Sequence, residues 1–238
     1  MAIDSRHRRA AHCQPVRAAL IWYQSTSQTA VPWRRSELRF LLRAEQYMGM
    51  PVSSRPRRRH TLEEFERLRD PAPAGPRYEF VDGEILVTPS PNLRHQRIIV
   101  RLTVLLEPFV RENRIGELIV SPFDVRFGTE RVFQPDLLVR TLSDVESRRQ
   151  DAARELRLAV EVLSPSSARY DRVDKRPRYQ EERVEELWLI DPESELVERW
   201  RPDDERPEVL AQTLVWQPAG SEASVSIDLV TLFAEANQ

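Results

Sequence analysis

The chain has 238 residues, 40% hydrophobic and 31% charged, which describes a globular protein with an apolar core; no apolar run approaches the roughly 18 residues a spanning helix needs. Its net charge of −2 hides an asymmetry: up to Arg59 twelve Arg face three acids, so the remainder carries a surplus of eleven negatives, which argues against a protein that coats nucleic acid through bulk charge. One cysteine, Cys13, excludes an intramolecular disulfide and a cysteine-based zinc site, and fits a reducing cytoplasm.

The first fifty residues show no steady period, and their apolar residues are scattered among Arg, Ser and Gln. We expect residues 1–59 to be a basic extension, disordered or placed ahead of the true translation start at Met48 or Met50; a basic DNA-binding arm is the functional rival. Residues 60–238 are expected to form one domain. It opens on a short helix over TLEEFERLRD, with Thr61 and Glu64 as a capping box and Leu62, Phe65 and Leu68 on one face. RYEFVDGEILVTPSP is a β-hairpin turning at Asp82-Gly83, with Glu79 and Glu84 on its two arms. From Asn92 to Asn113 the apolar positions Ile98, Leu102, Leu105, Leu106 and Phe109 describe an amphipathic helix with His95 in its first turn and Pro108 as a kink or break near its end.

ELIVSPFDVRF, RVFQPDLLV and ELRLAVEVLS are three strand-like runs, with a short helix expected between Asp144 and Glu155. Runs such as LLV and LAVEVL suit central strands covered on both faces. Asp136 and Glu161 stand at or inside such runs, where a lone charge loses its hydration unless it is paired or bound to metal. After a Ser- and Pro-rich loop comes DRVDKRPRY. Of the chain's 36 basic residues Lys175 is the only lysine, and lysine, unlike arginine, is a compact point charge whose pKa can be moved. Lys175 and Tyr179, four apart, share a helical face. ELWLIDP and LVERWRP follow as two strands joined by a turn, then a further strand or two and a short final helix. There is no Gly-rich phosphate loop of the GxxxxGK[ST] kind, so no ATP-driven step is implied.

YEFVDGEI, SPNLRHQ, SPFDV, QPDLLV, VEVLSPSS, DRVDKRPRY and ELWLIDP, in this order, resemble the Uma2 family, also called DUF820. The resemblance covers Thr61 to Arg201. It implies an α/β (α+β) restriction-endonuclease-like PD-(D/E)XK core, a central mixed β-sheet flanked by helices, with the N-terminal helix and hairpin added. On that pattern Pro135-Asp136 falls on the PD and Glu161 on the next strand's acid. Leu163 stands where the usual E-x-K puts lysine, so that role passes to Lys175.

The resemblance thus implies a cytoplasmic endonuclease hydrolysing DNA with Mg²⁺ or Mn²⁺ held by Asp136, Glu161 and the Val162 backbone carbonyl. Lys175 would orient the attacking water or neutralise charge on the phosphate, and Glu84 would complete the metal shell. Glu79, His95 and Tyr179 stand at its rim or behind its ligands. A homo-oligomer is implied as well. Two alternatives stay open: a nuclease-fold binding or assembly module without activity, and a metal-dependent hydrolase of RNA or nucleotides.

Overall fold

Prolines decide where several strands of this chain end, and the strand ends decide where the acids sit. The computed structural model describes residues 59–69, 77–88, 91–147 and 152–238. Arg59 apart, the basic extension with Met48 and Met50 lies outside the described residues.

Helix α1, Leu62–Arg69, begins as the capping box requires, with the Glu64 N–H donating to Thr61 Oγ1 and the Thr61 N–H to Glu64 Oε2, each at 3.1 Å. Of its expected apolar face only Phe65 is buried, stacked 5.4 Å from Phe80, while Leu68 is left in solvent. Strands β1 (Arg77–Val81) and β2 (Glu84–Thr88) form the expected hairpin. Asp82 at φ 48° and Gly83 at φ 87° are the left-handed pair that a type I′ turn demands. Helix α2, Leu93–Glu112, is capped by the Asn92 side chain and runs on past Pro108, so the proline does not end it. Pro108 removes only the N–H that the Val104 carbonyl would have accepted.

The stretch read as one strand around Pro122 is two, β3 (Gly116–Val120) and β4 (Asp124–Phe127), and the stretch around Pro135 is also two, β5 (Arg131–Phe133) and β6 (Leu137–Thr141). A proline has no N–H to give a ladder, and at both the chain crosses from one sheet to another. Helix α3 is Leu142–Glu146, earlier than expected, because Thr141 caps it by accepting from the Asp144 N–H; Ala152–Ala153 is then a short strand, β7. The rest comprises β8 (Leu156–Val162), helical elements α4 (Ala168–Tyr170) and α5 (Arg176–Glu181), β9 (Glu186–Asp191), β10 (Leu196–Trp200), β11 (Glu208–Leu210), β12 (Thr213–Trp216), β13 (Val225–Asp228) and helix α6 (Leu229–Ala236).

A five-stranded sheet has the order β2-β1-β5-β4-β7, a six-stranded one β11-β10-β9-β8-β6-β3, and β12 pairs with β13. The larger sheet is mixed: β8 and β9 run parallel and its other pairs antiparallel. Strand period two divides β8 between two cores. Leu158, Val160 and Val162 pack with α2, α6 and Trp216, while Ala159 packs with Val125 and Phe133 of the smaller sheet and with Tyr179. The central mixed sheet with flanking helices is the expected architecture. Gly116 is a position of close approach: a Cβ there would stand 2.0 Å from the Arg140 carbonyl oxygen.

Candidate active site

The site grows from the interruption at Pro135. Leu137 pairs with Val160, so two residues further Pro135 would face Val162, and proline cannot donate to the Val162 carbonyl. The ladder stops, and the Val162 N–H turns to the Asp136 carboxylate, donating to Oδ2 at 2.8 Å. His95, set in the first turn of α2 by its N–H bond to Asn92, brings Nε2 to 2.9 Å from the same oxygen. Its other nitrogen, Nδ1, is buried with no partner.

On the neighbouring strand Glu161 points to the opposite face from Val160 and Val162. Beyond it a helical segment runs through α4 (Ala168–Tyr170), a π-helical turn (Asp171–Lys175) and α5 (Arg176–Glu181). Pro177 has no N–H for the Val173 carbonyl, and the turn ahead of it widens: the Arg176 N–H reaches back five residues to the Asp171 carbonyl. This turn carries Lys175 inward. The Lys175 ammonium lies 2.8 Å from Glu161 Oε1, 2.9 Å from Glu79 Oε1 and 3.4 Å from Asp171 Oδ1. Tyr179, one turn on, donates its hydroxyl to Glu161 Oε1 at 2.8 Å, and the Gln134 N–H donates to Glu79 Oε1 at 2.8 Å.

The structure therefore brings together Asp136, Glu161, Lys175, His95, Glu79 and Tyr179, all buried. Glu79, expected at the rim or behind the ligands, holds Lys175 directly. Glu84 stands half-buried across from Val81 beside the hairpin turn. Asp171 was not found in the sequence, although it precedes Lys175 by four residues, the same spacing that drew attention to Tyr179. Tyr170, whose hydroxyl is buried without a partner, and Gln134, whose Oε1 is likewise unpartnered, also escaped notice.

Three buried carboxylates around one ammonium, with Asp136 acting on Glu161 from nearby, set the electrostatics. Burial alone would lower the Lys175 pKa, but Glu161, Glu79 and Asp171 outweigh burial and hold the pKa well above the ordinary lysine value. Burial raises Glu161 well above the usual carboxylate range despite Lys175, with Asp171, Glu79 and Asp136 pushing the same way. Asp171 is raised too, by burial first, with Lys175 opposing. One ammonium cannot neutralise the three carboxylates it touches among the described residues, so this cluster draws protons or a further cation.

Among the described residues no three His, Cys, Asp or Glu side chains form a group able to hold a metal ion. A metal here would rest on two carboxylates, Asp136 and Glu161, and on the Val162 carbonyl that Pro135 deprives of a ladder donor. That all-oxygen set in a negatively overcharged niche fits a hard divalent ion that keeps several waters. A surface cavity of about 590 Å³ is lined by Arg114, Arg157 and 218–223 and includes none of these residues. No described helix is long and apolar enough to cross a membrane.

The family model of Uma2, described as "Putative restriction endonuclease", matches residues 62–229. Among solved structures the chain is similar to one described as "a putative nuclease belonging to DUF820 from Anabaena variabilis ATCC 29413", with 23% identity, a TM-score of 0.62, and coverage of 74% of this chain and 98% of that one. At this identity the likeness shows a shared fold. No curated protein matches.

Proposed function

The chain belongs to the Uma2 family, and from that premise we propose that it is a nuclease hydrolysing phosphodiester bonds of DNA, with Mg²⁺ or Mn²⁺ held by Asp136, Glu161 and the Val162 carbonyl. The observation that carries this reading is the charge imbalance beside Asp136: three buried carboxylates, Glu79, Glu161 and Asp171, share one ammonium, and Lys175 answers only part of their charge. The bound ion would supply Lewis acidity toward the scissile phosphate and a water.

The protein's own residues do the rest. Asp136 is held in one orientation by the Val162 N–H and His95, and Glu161 by Lys175 and Tyr179, so both carboxylates are preorganised. Lys175 carries a positive charge at the point where a phosphate gains negative charge. Of its three contacts the one to Asp171 is longest, and giving it up would free a donor for the attacking water or a phosphate oxygen.

Removing Asp136 outright would leave the buried Val162 N–H without its acceptor, at a cost of about 1–3 kcal/mol, so Asp136→Asn is the cleaner variant. Titration calorimetry of the wild type should show Mn²⁺ binding that Asp136→Asn abolishes, with metal-dependent cleavage of duplex DNA lost alongside. Equal cleavage by the purified variant would defeat the proposal. A second reading, an assembly module without activity, is favoured by the full commitment of the Lys175 ammonium to three carboxylates; a wild type that binds neither Mg²⁺ nor Mn²⁺ would select it.

A further inference from the structure

Helix α2 buries Ile98, Leu102 and Leu106, yet the face opposite is not the polar surface that such a helix normally shows. Leu93, Val100 and Val104 are 65%, 57% and 62% exposed, and at about 100° per residue all three fall on the stripe facing away from the core. Valine at an exposed helical position is disfavoured, because its branched Cβ loses rotamer freedom in a helix and water gives nothing back. The same stripe carries Arg97 before the valines and Glu107 and Arg111 after them.

These positions are self-complementary. A second copy of α2 laid antiparallel, with the two-fold axis at the level of Leu102, sets Val100 against the second copy's Val104. It also sets Arg97 against the second copy's Glu107, and Leu93 along the aliphatic stem of its Arg111. Every contact is then made twice, as an isologous interface requires. A parallel arrangement would place Arg97 on Arg97 and Glu107 on Glu107, so the charges select the antiparallel one.

We propose that this face of α2 is the surface through which two copies of the chain associate. His95 lies seven residues from Leu102, so the two clusters stand at opposite ends of the helix pair, roughly 20 Å apart along its axis. Neither copy supplies a ligand to the other's site. Association is thus independent of the nuclease reading, and the two can fail separately.

Sedimentation equilibrium of the full chain tests it. The wild type is expected to be a dimer in the micromolar range, and Val100→Glu with Val104→Glu a monomer with unchanged far-ultraviolet circular dichroism and unchanged Mn²⁺ binding per chain. Arg97→Glu alone should weaken association about tenfold or more by setting like charges face to face. Adding Glu107→Arg to that variant should restore it. A monomeric wild type overturns the proposal, as does a dimer indifferent to the valine substitutions or a charge swap no better than Arg97→Glu. A Val104→Cys chain that closes on its own Cys13 under mild oxidation would give this face to the residues before Arg59, and overturns it as well.

Discussion

Neighbouring residues of α5 serve two charged clusters of opposite kind. Tyr179 faces inward to Glu161 and Lys175, where acids outnumber the one lysine and every member is buried. Arg178 faces outward to Asp82, which also pairs with Arg131, itself bound to Glu181 and Glu182; there two arginines meet three acids in partial solvent. Burial is the largest single influence on the Asp82 carboxyl and pushes it up, but the bonds and charges of Arg131 and Arg178 together outweigh it, so its pKa falls below the ordinary aspartate value. In the buried cluster the balance goes the other way and Glu161 and Asp171 rise. A charged cluster whose surplus is screened by solvent is architecture; one left overcharged in low dielectric is poised to take a ligand.

The comparison breaks most visibly at Lys175. Lys175→Met keeps the length and removes the charge, leaving buried carboxylates without their counter-ion, and should cost about 3–5 kcal/mol at neutral pH by urea denaturation. The loss should shrink in acid, where Glu161 and Asp171 take protons instead. A cost below about 1 kcal/mol at pH 7 would mean that the acids are not held as ions around this lysine. Tyr179→Phe, which deletes only the hydroxyl donated to Glu161, should cost less, about 1.5–3 kcal/mol, with the same decline toward acid.

The two clusters should also give opposite pH slopes. In metal-free protein the folded state keeps protons on Glu161 and Asp171 that the unfolded chain has released, so stability falls as pH rises from the ordinary carboxylate range through their raised pKa values. Asp82 does the reverse: folded, it holds its proton less tightly, so its contribution is present above the ordinary aspartate value and lost as pH falls through the depressed one. Melting temperatures against pH separate them. Asp82→Asn should remove part of the acid-side loss and Asp171→Asn part of the decline on the other side. Mn²⁺ should flatten that decline, because it binds the deprotonated carboxylates; an unchanged slope with Mn²⁺ would leave protons as the cluster's only counter-ions.

Much of the architecture was legible because its signals are local. The Thr61 and Glu64 box, the Asp82-Gly83 turn and the apolar period of α2 each act within a few residues. The sheet switches at Pro122 and Pro135 were not, since both sides of each proline are apolar and strand-like and only the pairing partners tell them apart. In the site, Asp136, Glu161 and Lys175 stood out by being charged or singular in apolar surroundings. Glu79 looked like either arm of an ordinary hairpin, and its difference from Glu84 appears only when β1 is placed beside Gln134 and Lys175. Asp171 was hidden because its segment reads as loop, whereas Pro177 widens it into a π turn.

Arg178→Ala is the smallest and most discriminating change. It removes one of the two arginines from Asp82, on the same helix and next in sequence to Tyr179, but at a group about a third exposed where water replaces the lost bond. The expected loss is about 0.2–1 kcal/mol, shrinking as salt is added, because the screening length falls to a few ångströms at molar ionic strength. Lys175→Met, buried beyond the reach of counter-ions, should keep nearly its full cost in the same salt. If both losses shrink together, solvent reaches the inner cluster and its carboxylates are not overcharged; if only the outer one does, the contrast between the two faces of α5 stands.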